Sequence, residues 1–101
     1  MTLVKEIYLI TEQLPSQEKF GLVSQIRRCA ISIPSNIAEG QKRLNRAETI
    51  QFTGIALGSA AELETQLILI EQLYDIPTQA EVDSLLDISR MLSSLVRSLR
   101  T

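Results

Sequence analysis

Residues 24–40 read SQIRRCAISIPSNIAEG, and their apolar side chains recur at helical spacing. The apolar series advances by three, four, three, four and then seven residues; its members are Val23, Ile26, Ala30, Ile33, Ile37 and Leu44. Steps of three and four residues keep side chains on one face of an α-helix. Because the series continues over three heptads, it predicts one long helix with a buried face.

Pro34 lies inside this apolar series. An interior proline removes one helix hydrogen bond and clashes with the preceding turn, at a cost of about 3 kcal/mol. The apolar register nevertheless continues across Pro34, so we predict one long helix that is kinked between about Ala30 and Pro34. The competing interpretation is a helix that ends near Ile31, followed by a second helix that starts at Ser32 in another direction.

A polar stripe accompanies the apolar series along the same predicted helix; it contains Arg28, Ser32, Asn36, Glu39 and Arg43. One interpretation is a recognition surface for phosphate or for a partner protein, because arginine is suited to both. The other is a structural seam, within the bundle or between subunits. Polar groups among so many aliphatic side chains usually need partners inside the protein, which favours the seam.

The structural interpretation makes two specific expectations. Arg28 would pair with Glu62 on the following helix, and Asn36 would satisfy the backbone carbonyl that Pro34 leaves free. The predicted seam therefore consists of Arg28, Ser32, Asn36, Glu39 and Glu62.

Shorter patterns predict three further helices. The first helix carries Leu3, Ile7, Ile10 and Leu14 at steps of four, three and four, and it ends at Pro15. Ser16 then offers an N-cap for the next helix. The third helix is expected to start at Asn45, which forms a capping box with Glu48, and to reach about Tyr74. Its main apolar line is Phe52, Ala56, Ser59, Leu63, Ile70 and Leu73, with Gln66 in the remaining slot.

The fourth helix is expected to follow Pro77, with Thr78 and Glu81 as a second capping box. Its apolar line is Val82, Leu85, Ser89, Leu92, Val96 and Leu99. Four helices with short connections predict an all-α protein, an antiparallel up-and-down four-helix bundle. At 101 residues, the chain is expected to form a single domain over residues 1–101.

Some apolar side chains exceed what one bundle core can bury. The run Leu67–Ile70 covers about 300° of the helix circumference at about 100° per residue, and Leu57 and Ile88 lie off the main lines. This surplus predicts self-association. Gly54, Gly58 and Ala61 share one helical face, which we interpret as a face for tight packing within the bundle.

The composition argues against catalysis. The chain has no histidine, which removes the commonest general base and metal ligand. Cys29 is the only cysteine, so an internal disulfide and a thiolate zinc cluster are impossible. Phosphate-binding glycine loops are also missing from the sequence. We therefore expect a protein that is not an enzyme and uses no cofactor or metal. No stretch resembles a signal peptide or a membrane span, so the default expectation is a cytoplasmic protein without a membrane partner.

Charge is unevenly distributed, although the net charge is only −2. The basic excess of residues 1–50 comes from Arg27, Arg28, Lys42, Arg43 and Arg46, which are candidate contacts for protein or nucleic acid. This excess is far below that of a dedicated nucleic-acid-binding protein. At most weak and non-specific binding of RNA or DNA is expected.

Two motifs carry a resemblance to a known family. Residues 24–40 together with IALGSAAEL at residues 55–63 closely resemble the four-helix-bundle family encoded in intervening sequences of bacterial 23S ribosomal RNA genes. That family is related to the accessory variability determinant of diversity-generating retroelements. The resemblance implies an up-and-down bundle that assembles as a homopentamer. In the retroelement branch it implies a basic partner of reverse transcriptase and nucleic acid.

The chain departs from this family in two respects. Family members usually carry an additional N-terminal stretch before the segment that matches Leu3, so the first helix is expected to be short or truncated. The chain is also acidic overall, which counts against nucleic-acid binding. The leading hypothesis is a non-enzymatic oligomeric scaffold or adaptor that recruits protein or RNA. The alternative is a structural or selfish-element protein with no specific ligand.

Overall fold

The computed structural model describes residues 2–101 as four α-helices packed against one another. The helices are α1 (Thr2–Glu12), α2 (Leu22–Gln41), α3 (Arg46–Tyr74) and α4 (Gln79–Arg100), and a short 3₁₀ helix at Ser16–Glu18 precedes α2. No strand occurs within these residues. The predicted all-α class with four packed helices is confirmed.

The core follows the apolar lines of the sequence, except that Leu73, which was predicted on the apolar line of the third helix, is exposed. The contact between α2 and α3 is the most extensive one; α4 packs against α3, and α1 lies against α2 and α4. Large side chains excluded from solvent include Ile7, Ile26, Ile33, Leu63, Leu67, Ile70 and Leu85. Full burial of such a side chain stabilises the fold by about 1.5–3 kcal/mol, so these few residues account for much of the packing energy.

Helix α2 is continuous through Pro34. The alternative in which a helix ends near Ile31 and a second one begins at Ser32 is therefore wrong. The kink itself stays a prediction. Asn36 does not take the carbonyl of Ala30, which a proline at position 34 leaves without its usual donor; its amide donates instead to the Ser32 carbonyl at 2.8 Å.

The helix boundaries agree in part with the predicted caps. Asn45 caps α3, since its side-chain oxygen accepts from the Glu48 backbone N–H at 2.8 Å. The second capping box is wrong, because Thr78 makes no side-chain cap for α4. Its hydroxyl donates to the Leu67 carbonyl at 3.0 Å, and its N–H donates to Glu71 Oε1 at 3.0 Å. Through these two hydrogen bonds, Thr78 links the connection between α3 and α4 to the end of α3.

Helix α2 starts later than its predicted N-cap at Ser16. Ser16 opens the 3₁₀ helix instead, and α2 begins at Leu22. Where α2 ends, Gly40 is buried against the start of α3, and a Cβ added there would lie 3.3 Å from the Phe52 Cβ. Such a contact is tighter than side chains normally make, so glycine permits this close approach. The Thr49 hydroxyl donates to the Gly40 carbonyl at 3.1 Å.

The molecule is elongated, with extents of 45 × 23 × 18 Å. The segment of α4 from Arg90 to Leu95 lies beside the end of α2, because one groove is lined by Ile37 and Gln41 from α2 and by Met91 and Leu95 from α4. The connection between α2 and α3 therefore shares one end of the molecule with the end of α4.

Candidate interaction site

Arg27 is held inside the structure rather than presented to a partner. Its Nε donates to the Thr11 hydroxyl at 2.9 Å, and its Nη2 donates to the Tyr8 carbonyl at 3.4 Å. The guanidinium also lies 4.4 Å from the centre of the Tyr8 ring, within the range of a cation–π contact. These contacts join α2 to α1, so the basic group predicted from the sequence loses one member.

Part of the predicted polar seam is present between α2 and α3. The hydroxyls of Ser32 and Ser59 lie 2.8 Å apart, and the Cys29 thiol donates to the Ser59 carbonyl at 3.0 Å. Asn36 donates to the Ser32 hydroxyl at 2.9 Å. Small polar side chains thus bridge the two helices, and Cys29 and Ser59 belong to a network in which the sequence had suggested only Ser32 and Asn36.

Arg28 and Glu62 do not complete this seam within one chain. Both side chains are exposed, and they line an open cleft of about 380 Å³ together with Cys29 and Ser59. No ion pair within 4.0 Å joins them in the described part of the chain, so the expected desolvated pair is not formed. Glu39 lies elsewhere and pairs with Arg43 at 2.9 Å.

The Cys29 thiol has a strongly perturbed pKa. Burial, followed by the negative charge of Glu62 and a hydrogen bond with it, raises the pKa of Cys29 to about 11. The thiolate is the reactive form of cysteine. Cys29 is therefore suited to packing and hydrogen bonding and not to nucleophilic chemistry.

The remaining basic candidates lie at the far end of α2. Lys42, Arg43 and Arg46 are exposed around the connection to α3. At a rise of about 1.5 Å per residue, Arg28 and Lys42 are roughly 20 Å apart along the helix axis. The five predicted basic residues therefore do not form one surface.

Three arginines that the sequence reasoning missed join Lys42, Arg43 and Arg46. They come from the second half of α4, where Arg90 lines a groove together with Ile37 and Gln41 of α2. The complete set is Lys42, Arg43, Arg46, Arg90, Arg97 and Arg100. We call this set the basic end. The predicted up-and-down bundle would place the end of the last helix beside the connection between the second and third helices. Counting charges by bundle end rather than by sequence half would have revealed the set.

The charge difference between the two ends is larger than between the two halves of the sequence. Residues 36–56 and 87–101 hold the six cations of the basic end and three carboxylates, Glu39, Glu48 and Asp87. Residues 2–35 and 57–86 hold four cations and nine carboxylates. Positive and negative charges are therefore concentrated at opposite ends of the elongated molecule, although its net charge is only −2.

The solvent-facing side of α3 is a second unusual surface. Between Glu62 on one border and Glu64 on the other, a stripe of this side lacks charged residues for more than five turns; it consists of Gln51, Gly54, Leu57, Gly58, Ala61, Thr65, Ile68, Leu69 and Gln72. We call this the outer face of α3. Nothing lies within 4 Å of the positions that a Cβ would occupy at Gly54 or Gly58. The expectation that these glycines pack tightly within the bundle is wrong; Ala56, Ser59 and Ala60 lie on the inner side instead.

The residues described by the structure provide no other recognisable site. No group of three or more His, Cys, Asp or Glu side chains among residues 2–101 could hold a metal ion. None of the helices within the same range combines the length and the apolar character that a membrane crossing demands.

Comparisons with known proteins agree with this architecture. A family model described as 23S rRNA-intervening sequence protein matches residues 1–98. A crystal structure of a protein with unknown function from the S23 ribosomal protein family of Bacteroides thetaiotaomicron superposes with a TM-score of 0.80 at 27% identity. That match covers 92% of this chain and 87% of the other chain. No curated protein matches.

Proposed function

The chain belongs to the 23S rRNA-intervening sequence protein family, and from that premise we propose that it is a non-enzymatic scaffold. Copies of the chain assemble through the outer face of α3 and present their basic ends to a partner. The observation that carries this proposal is the outer face itself, which is uncharged over more than five helical turns.

An exposed face of this composition is costly in a single chain. Glycine in an exposed helix interior costs about 0.8–1.0 kcal/mol relative to alanine, and Gly54 and Gly58 gain no contact in return. Ile68 and Leu69 keep about two-fifths of their surface exposed on the same side. A second helix backbone that approaches over the glycines would bury these side chains, so the face fits a second copy of the chain.

The family resemblance favours five copies. Closed rings form when one surface of a subunit contacts a different surface of the next subunit. The outer face of α3 would then meet another face of the neighbouring copy. The exposed side chains of Arg28 on α2 and Glu62 on α3 are free to form ion pairs between copies, which is the intersubunit version of the predicted polar seam.

A paired arginine substitution tests the assembly. Ala61 and Ala80 are both exposed helical alanines, but only Ala61 lies on the outer face of α3. Light scattering should show that Ala61→Arg dissociates the assembly, whereas Ala80→Arg leaves its mass unchanged. Circular dichroism should show unchanged helix content in both variants. If Ala61→Arg assembles as well as the parent chain, the outer face is not the contact.

A further inference from the structure

Leu44 lies in the connection between α2 and α3, with its side chain fully in water. Its exposed fraction, 103%, is the highest among the large apolar residues of the described chain. The sequence placed Leu44 on the buried stripe of the second helix, and this prediction is wrong, because α2 ends at Gln41. Single exposed leucines are common on protein surfaces, but this one is flanked by Lys42, Arg43 and Arg46.

The connection that carries Leu44 is held in one conformation. The Lys42 backbone N–H donates to the Glu39 carbonyl at 3.2 Å, and the Arg43 backbone N–H donates to the Gly40 carbonyl at 3.3 Å. On the other side, Asn45 caps the start of α3. Leu44 is thus presented on a fixed turn, and a preorganised contact loses less entropy when it binds.

Four cations of the basic end are available to a partner. Arg43 is paired with Glu39 and Arg90 with Asp87, both at 2.9 Å. No carboxylate lies within 4.0 Å of Lys42, Arg46, Arg97 or Arg100 in the part of the chain that the structure describes. These cations are complementary to a partner with a negatively charged surface.

The side chains around these cations distinguish between two anionic partners. Proteins that read single-stranded nucleic acid usually stack bases on open aromatic rings. Phe52 is the aromatic residue at this end, and the Arg43 guanidinium covers it at 4.7 Å from the ring centre. A phosphate backbone would also leave Leu44 in water. An acidic protein surface with an apolar pocket would use both the cations and Leu44.

We propose that the basic end docks onto an acidic partner protein, with Leu44 inserted into an apolar pocket of that partner. This inference rests on the proposed function only for treating the basic end as the contact surface. It names the class of partner, and it holds equally for a single chain or for an assembly.

Fluorescence anisotropy with three labelled probes tests the docking. The first probe is an amphipathic helical peptide of glutamate and leucine, the second is a polyglutamate peptide of equal charge, and the third is a short RNA duplex. Leu44→Ser should weaken binding of the first probe about tenfold, as expected when a mostly buried leucine contact is lost. It should not affect the other two probes.

Matched variants separate the apolar contact from the charge. Arg46→Ala should weaken binding of all three probes. Leu73→Ser, which changes an exposed leucine near the end of α3, should affect none of the three. The proposal is overturned if Leu44→Ser binds the amphipathic peptide as well as the parent chain, or if the parent binds RNA more tightly than that peptide at physiological salt. Assembly is measured independently by light scattering, so failure of the scaffold proposal would be recognised separately.

Discussion

Ser59 takes part in two hydrogen bonds between α2 and α3. Its hydroxyl meets Ser32, and its carbonyl accepts from Cys29 in addition to its place in the helix. Small side chains here let the two helices approach closely, and each polar group finds a partner. The sequence predicted Ser32 and Asn36 as members of a polar seam, but it could not specify Ser59, because a serine on an apolar line carries no signal of its partner.

The raised pKa of Cys29 makes its thiol slow to react. With a pKa of about 11, the thiolate fraction near pH 8 is on the order of a hundredfold below that of an ordinary cysteine. Modification by a disulfide reagent should be slower in the folded protein by about this factor. Glu62→Gln should speed the reaction, because it removes a negative charge that raises this pKa. Equal rates for the native and urea-unfolded chains would contradict the assignment.

Gln66 is a buried polar residue whose side-chain oxygen makes no hydrogen bond within the described part of the chain. Its side chain is only 7% exposed, and its Oε1 has no hydrogen-bond partner. An unsatisfied buried acceptor costs about 1–3 kcal/mol. Gln66→Met keeps a similar shape without that acceptor, so it should raise the free energy of unfolding by about 1 kcal/mol. Urea denaturation is the measurement, with the exposed Gln25→Met as control; a destabilised Gln66→Met variant would mean that the amide has a role not seen in one chain.

At the scale of the helices, α1 and α4 bring two carboxylates together. Burial, and then the nearby charge of Glu6, raises the pKa of Glu81. A raised folded pKa means that the folded state favours the protonated form. Its contribution to stability is therefore full below the unfolded pKa of about 4.3 and is lost as the pH rises through the folded pKa.

Glu81→Gln should accordingly raise the melting temperature at neutral pH. The gain should shrink as the pH falls through the raised pKa of Glu81 toward its unfolded value of about 4.3, because the Glu81 carboxyl is then protonated in the folded state. Thermal melts followed by circular dichroism between pH 3 and pH 8 measure this, with the exposed Glu12→Gln as control. A gain that persists unchanged at pH 3 would show that the carboxylates do not repel each other.

The two glycines on the outer face of α3 give opposite effects in a single chain and in an assembly. In a dissociated chain, Gly54→Ala and Gly58→Ala should each stabilise the helix by about 1 kcal/mol. In an assembly with a close helix approach, the added methyl groups should weaken association. Urea denaturation of dilute protein and sedimentation of concentrated protein measure the two effects. Stabilisation with no loss of association would place the contact on another surface.

The helices and their inner faces could be predicted from the sequence because the steps of three and four residues report directly on burial. The ends of helices were less predictable. Thr78 and Glu81 have the spacing of a capping box, yet Thr78 donates to Leu67 instead. Leu44 fits the apolar register but lies beyond the end of α2. In both cases the outcome depends on contacts between segments, which a local pattern does not contain.

At the scale of the whole molecule, the charges are sorted by bundle end. Six of the ten cations share one end with only three of the twelve carboxylates. The charge asymmetry between the two halves of the sequence is weaker. The three arginines of α4 belong to the second half, although they lie at the end of the bundle that carries the connection between α2 and α3. Copies that assemble side by side in a ring would bring their basic ends to a single face, where a negatively charged partner would offset their mutual repulsion.

The mass of the parent chain in solution tests the account most directly. Sedimentation equilibrium at micromolar protein should give a multiple of the 11.3 kDa chain, with five copies expected. Assembly of copies would explain both the uncharged outer face of α3 and the exposed glycines on it. A mass of one chain, unchanged from micromolar concentration to about a hundredfold higher concentration, would contradict the assembly and with it the scaffold function.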